Sequence, residues 1–149
     1  MDAFPQTSSL IAWKRMSVAN QFIDANVLLY LLSDDGNKAD RAEETLIDGG
    51  VISVQVLNEF ASVATRKVKM TIEEIREVLT AARAACKIMP LTEASHDKGL
   101  EIADRYGLSI YDAMIVASAL IAECKILLSE DMQDGQIFEG CLKIKNPFR

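Results

Sequence analysis

The stretch Gln21-Phe22-Ile23-Asp24-Ala25-Asn26-Val27-Leu28-Leu29-Tyr30-Leu31-Leu32 decides the fold. Residues 21–25 form a short apolar run suited to a buried strand, and residues 27–32 continue as helix. Working outward, the same alternation repeats. Residues 38–47 predict a helix, stopped by Gly49-Gly50, and residues 51–54 a second strand. Residues 56–66 carry apolar side chains at 56, 60 and 63, the spacing of one helical face. Residues 71–86 read as an amphipathic helix in which Thr71 and Glu74 have capping-box spacing. Residues 87–89 form a third strand before Pro90, and residues 92–106 a helix ended by Gly107, a C-cap residue. A helix over 109–123, a strand over 125–129 and a last strand over 142–144 complete the chain before Asn146-Pro147. Strands separated by helices predict an α/β fold: a three-layer α/β/α sandwich around a mostly parallel sheet. Such sheets place their sites beyond the carboxyl ends of the strands.

The 149 residues suit one domain. With 50% hydrophobic and 26% charged residues, the composition excludes a disordered tail, a collagen-like chain and a low-complexity array. No repeat or Ser/Gly/Pro-rich linker divides the chain. Residues 1–20, which hold the only tryptophan, are expected to be an N-terminal extension without an assigned role, with Met16 as an alternative start. Residues 21–149 are the expected folded domain. The apolar run 110–122 is too short to cross a bilayer and contains Asp112. Lys14 and Arg15 interrupt the apolar stretch that a secretory leader would need. The expectation is a cytoplasmic protein with no membrane role.

Cys86, Cys124 and Cys141 form no Cys-x-x-Cys pair, and their odd number argues against a disulfide framework; buried or half-buried free thiols are expected. His96 is the only histidine, so zinc and Ser-His-Asp chemistry lack their parts, and a helix-surface position is expected for it. Carboxylate is abundant: 22 acids against 16 bases, net charge −6. That sign opposes broad capture of phosphates. A nucleic-acid role would rest on local basic patches or on bound metal.

Four acids stand out by position. Asp24 ends the first strand, where it can cap the following helix or face a cleft. Glu59 lies at the edge of a core-facing stripe, a place for a snorkelling side chain or for a paired charge. Asp112 begins a helix that is apolar nearly all round and therefore buried, and Ser109 stands at capping distance before it. Asp131 follows the strand 125–129 in a turn-like segment with Asp134, whose place before Gly135 suits a turn residue. Four carboxylates attached to the strand ends of one parallel sheet should converge. Two of them about 4 Å apart repel by roughly 4 kcal/mol at an effective dielectric of 20. No Lys or Arg lies inside these segments, so either some carboxyls are protonated or a divalent cation is bound. All-oxygen donors select Mg²⁺ or Mn²⁺, which serve phosphoryl transfer.

Phe22-Ile23-Asp24-Ala25-Asn26-Val27-Leu28-Leu29-Tyr30, Asn58-Glu59-Phe60, Tyr111-Asp112-Ala113-Met114-Ile115-Val116-Ala117-Ser118-Ala119 and Leu127-Leu128-Ser129-Glu130-Asp131-Met132 together resemble the PIN domain. Their spacing is similar to that of VapC-type toxins of bacterial toxin–antitoxin pairs. The resemblance implies an endoribonuclease dependent on Mg²⁺ or Mn²⁺, acting on RNA, often a homodimer and held silent by a small antitoxin protein. It implies Asp24, Glu59, Asp112 and Asp131 as the catalytic acids, with the metal held chiefly by Asp24, Asp112 and Asp131. Asn26 and Ser129 would support them, with Asp134 as an outer ligand. Two features depart from the family pattern: residues 1–20 precede its usual start, and the net charge is negative. Basic patches for RNA are Arg66-Lys67-Val68-Lys69, Lys143-Ile144-Lys145 and Arg149, the first of which also suits a helix C-terminus. Two other readings stay open. Asp24-Ala25-Asn26 is similar to the Asp-x-Asp loop of HAD-like phosphatases, but Asn replaces the second acid. A PIN-like fold used only for protein binding is the other.

Overall fold

The computed structural model describes residues 20–149. The extension expected over residues 1–20 and the alternative start at Met16 lie outside the described residues, apart from residue 20. In chain order the elements are β1 (Gln21–Ile23), α1 (Ala25–Leu29) with a 3₁₀ turn (Tyr30–Leu32), α2 (Gly36–Asp48) and β2 (Gly50–Ser53). Next come α3 (Val54–Val63), running into a π turn (Ala64–Val68), then α4 (Ile72–Ala85), β3 (Cys86–Met89) and α5 (Glu93–Tyr106). The chain closes with α6 (Ile110–Ile121), β4 (Ile126–Leu128), β5 (Ile137–Phe138) and β6 (Leu142–Lys145).

The sheet runs in the order β3-β2-β1-β4-β6-β5. Every pairing is parallel except β5 with β6. Phe22 sits opposite Val51 on one side and Leu127 on the other. The chain therefore builds outward from β1 through β2 to β3, then returns to place β4 on the far side of β1. That reversal makes the carboxyl ends of β1 and β4 the topological switch point, where open α/β sheets form their clefts. The mixed α/β fold with a mostly parallel central sheet flanked by helices is the expected one.

Local chemistry explains the element ends. Asp35 caps α2 through Asn37 and Lys38, and Thr71 with Glu74 completes both arms of the capping box on α4. Gly49 at φ 80° ends α2, and a Cβ on Gly50 would stand 2.7 Å from the Gln21 backbone oxygen. That close approach explains why a glycine opens β2. Phe22, Ile23, Val51, Ile52, Leu127, Phe138 and Ile144 fill the core from the sheet, while Phe60 and Ile102 cover it from α3 and α5. Residues 113–119 of α6 are all buried, as an all-round apolar helix requires.

Three details differ from the sequence reading. Strand β5 has only 2 residues, too short to leave a periodic pattern, and it pairs antiparallel with β6 as an edge hairpin. Helix α1 starts at Ala25, so Asp24 rather than residue 25 closes the first strand segment. Cys141 is exposed, because it stands in the tight connection between β5 and β6; Cys86 and Cys124 are buried. His96 is exposed on α5, as expected. No helix among the described residues is long and apolar enough to cross a membrane.

Candidate active site

Strand β1 delivers Asp24 to the switch point. Its backbone N–H donates to the Leu128 carbonyl at 3.0 Å, which continues the β1–β4 ladder past the strand end. Its Oδ1 accepts the Ala25 N–H at 2.7 Å and so caps α1. Oδ2 accepts from the Ser129 hydroxyl at 2.9 Å and from Asn26 Nδ2 at 3.2 Å. The capping role that the sequence allowed is carried by Oδ1, while Oδ2 is turned to Ser129 and Asn26. Asn26 Nδ2 also reaches Ser129 Oγ at 3.2 Å, and Asn26 Oδ1 accepts the Glu130 N–H at 3.1 Å. Asn26 and Ser129 therefore tie the loop after β4 to the first turn of α1. Asp24 is only 6% exposed. Burial pushes its carboxyl up to about 6 against the opposing bonds from Ser129 and Ala25, and the charges of Asp112 and Asp131 add to the rise.

Glu59 comes from α3, whose N-terminus is capped by Ser53 Oγ accepting the Val56 N–H at 3.3 Å. The side chain is half-buried, and its Oε2 is buried without a hydrogen-bond partner. Burial, then the charge of Asp24, raises its carboxyl to about 7; Gln55 pulls the other way, and Asp112 and Asp131 add further repulsion. Asp112 stands in the first turn of α6, where Ser109 Oγ accepts its N–H at 3.3 Å. Burial raises it, the Ser109 contact lowers it, and Asp131 raises it again. Asp131 is exposed on the loop after β4.

Asp24, Glu59, Asp112 and Asp131 thus share one electrostatic neighbourhood: Asp131 raises the other three, Asp112 raises Asp24 and Glu59, and Asp24 raises Glu59. Among the described residues, the ion pairs engage Glu44, Glu101, Glu130 and Glu139, and none neutralises these four. As the side chains stand, no three His, Cys, Asp or Glu of the described residues close on a common point tightly enough to hold a metal ion. Asp24 explains part of this spacing, since both its oxygens are already turned to Ala25, Ser129 and Asn26. The donor chemistry nevertheless fits a hard divalent cation. Every donor is a carboxylate oxygen, all repel one another, and one buried oxygen lacks any partner.

Asp134 is used differently from the rest: its Oδ1 accepts the Asn146 N–H at 2.8 Å, which anchors the chain after β6. The basic residues divide around α3. Arg66 lines a cavity of about 370 Å³ together with Gln55, Asn58, Glu59 and Tyr111. Lys67 lines another of about 390 Å³ with Asn26, Tyr30, Glu130 and Asp131. Lys69, at φ 62°, is exposed beyond the π turn and lines neither. Lys143, Lys145 and Arg149 are exposed at the other end of the chain.

Sequence reasoning missed a cluster beside Asp131. The Tyr30 hydroxyl donates to Glu130, and Lys38 Nζ lies 3.1 Å from that hydroxyl and 3.4 Å from Glu130. The ammonium also sits 4.6 Å over the Tyr30 ring, which meets Phe148 edge-on at 4.6 Å. Lys38 and Glu130 are 92 residues apart, so no local spacing could have paired them. The adjacency of Glu130 to Asp131 was the only available signal.

Comparison with known proteins agrees with this fold. The sequence has no match among curated proteins. Solved structures of similar fold include a toxin–antitoxin complex from Klebsiella pneumoniae, at TM-score 0.64 and 19% identity, covering 85% of this chain and 97% of that one. VapC20 from Mycobacterium tuberculosis, a sarcin–ricin loop cleaving toxin, aligns at TM-score 0.58 and 16% identity over 74% of this chain and 89% of its own. VapBC2 from Rickettsia felis, bound to a DNA fragment from their promoter, aligns at 0.56 and 19% over 85% and 97%. The family model for the PIN domain matches residues 22–133, which span β1 through the Asp131 loop. The chain therefore belongs to the PIN domain family.

Proposed function

We propose that this protein is a divalent-metal-dependent endoribonuclease, the toxin of a toxin–antitoxin pair, acting in the cytoplasm and restrained by an antitoxin protein. One observation supports the reading most: Asp24, Glu59 and Asp112 each feel the charge of another acid of the set, no ion pair among the described residues neutralises any of the four, and Arg66 shares a cavity with Glu59 as Lys67 does with Asp131. Asp24, Asp112 and Asp131 would hold Mg²⁺ or Mn²⁺, which when bound neutralises charge at phosphorus and acidifies water. The chain's own residues do the rest. Asn26 and Ser129 hold the Asp24 carboxylate in one rotamer by bonds of 3.2 and 2.9 Å. Glu59, raised to about 7, is poised near neutrality to take a proton from the attacking water. Arg66 and Lys67 position RNA phosphates on either side of the acids. Asp134 serves the fold through Asn146 and is left out of the metal set. Two copies of the chain would form the active species.

The test is cleavage of a structured RNA pool by purified protein with Mg²⁺ or Mn²⁺, then with EDTA, alongside Asp24→Asn and Asp112→Asn. Cuts that need metal and vanish in both variants support the reading. Undiminished cutting by Asp112→Asn, whose Asn still suits the helix first turn, overturns the assignment. An inert wild-type protein that binds a partner tightly would point to the binding-module reading instead.

A further inference from the structure

The cavity that Glu59 shares with Arg66 has more chemistry than hydrolysis needs. Tyr111, immediately before Asp112, is 66% exposed, and its side chain makes no hydrogen bond among the described residues. An aromatic ring left open beside an acidic centre offers a large flat contact area. Val63 adds apolar surface to the same cavity, and Asn58 presents an exposed carboxamide with no hydrogen bond among the described residues. Gln55 adds a second carboxamide one turn earlier. Arg66 is steadied through Nε by Ser62 Oγ at 3.4 Å, and among the described residues its guanidinium has no carboxylate partner. A stacking face, amide donor–acceptor pairs and a free guanidinium are the set that recognises an unpaired base and its phosphate. A carboxamide matches the adenine edge best, through one donor and one acceptor.

We infer that this cavity is a nucleobase subsite: an unstacked adenine next to the scissile phosphate lies on Tyr111, is read by Asn58 and Gln55, and has its phosphate held by Arg66. The inference rests on the ribonuclease reading and adds to it a substrate class, single-stranded RNA with a fixed base beside the cut. A base inside a duplex cannot reach such a pocket without leaving the stack.

Two measurements separate the subsite from the nuclease. The first uses a single-stranded oligoribonucleotide pool, randomised around the cut, with Mn²⁺ and sequencing of the products. The second uses a short single-stranded oligoribonucleotide carrying 2-aminopurine, bound to Asp24→Asn protein and followed by fluorescence quenching. Tyr111→Ala, added to the wild type for cleavage and to Asp24→Asn for binding, is expected to raise KM about tenfold with kcat little changed, by loss of one stacking contact. It should also abolish quenching, whereas Tyr111→Phe retains both. Asn58→Ala should keep the quenching and lose the adenine preference. Quenching and base preference that survive Tyr111→Ala overturn the subsite while leaving the nuclease standing. Quenching lost in Tyr111→Ala, from a protein that cuts no RNA, keeps the subsite and overturns the nuclease. A fall in sedimentation coefficient on Tyr111→Ala with quenching unchanged would assign the ring to a contact between copies, and overturn the proposal.

Discussion

At the scale of single residues, the protonation of Asp24 and Glu59 links the site to stability. Asp24 rises from 3.8 to about 6 and Glu59 from 4.5 to about 7 on folding, burial being the main cause in each. A carboxyl whose folded value is raised binds more protons folded than unfolded within that window. Stability therefore falls as pH rises through it. In EDTA, the melting temperature should be higher at pH 5 than at pH 8, and the difference should shrink in Asp24→Asn/Glu59→Gln. An undiminished difference in the double variant would place its source elsewhere. Ser129→Ala leaves Asp24 Oδ2 and the Met132 N–H without their shared partner, for a cost of about 1–3 kcal/mol in urea unfolding. The same variant should push the Asp24 carboxyl higher still, since the bond it removes favours the ion.

At the scale of elements, the close packing of β1 on β2 gives the sharpest expectation. Gly50→Ala would force a Cβ to within 2.7 Å of the Gln21 carbonyl oxygen, a backbone atom that cannot swing aside. The positive φ of 152° adds conformational strain of about 1–3 kcal/mol. Chemical unfolding should report at least that loss, and RNA cutting should fall with it because β1 and β2 position Asp24 and α3. Element boundaries were legible where capping chemistry marked them, as at Thr71 with Glu74 and at Gly107. They were illegible at Ile137–Phe138, where pairing with β6 rather than local pattern makes the strand.

At the scale of the whole molecule, a net charge of −6 works against the proposed RNA binding, which would therefore lean on a few cations. Each phosphate contact to a single strand contributes about −0.7 to the slope of log K against log salt. Arg66→Ala/Lys67→Ala should therefore flatten that slope by about 1.4 in a filter-binding titration on Asp24→Asn protein. An unchanged slope would move the phosphate contacts to Lys143, Lys145 or Arg149. Mn²⁺ at a hundred times its dissociation constant should stabilise the protein by about 2.7 kcal/mol, visible as a rise in melting temperature. Asp24→Asn should lose most of that rise.

The sequence by itself determined the fold class, because hydrophobic period and glycine or capping punctuation are local properties of the chain. It also singled out four acids, of which Asp24 and Asp131 follow strands as expected, whereas Glu59 stands within α3 and Asp112 in the first turn of α6, reached from α5 rather than from a strand end. What only the tertiary structure decided is how those acids meet. Asp24 and Ser129 are 105 residues apart, and their 2.9 Å hydrogen bond exists because β4 returns to the far side of β1. The same return sets Lys38 against Glu130, and tertiary packing likewise leaves one Glu59 oxygen buried without a partner and turns Asp134 to the backbone of Asn146. Burial and long-range pairing arise from the packing of the sheet as a whole, so no local window of sequence contains them.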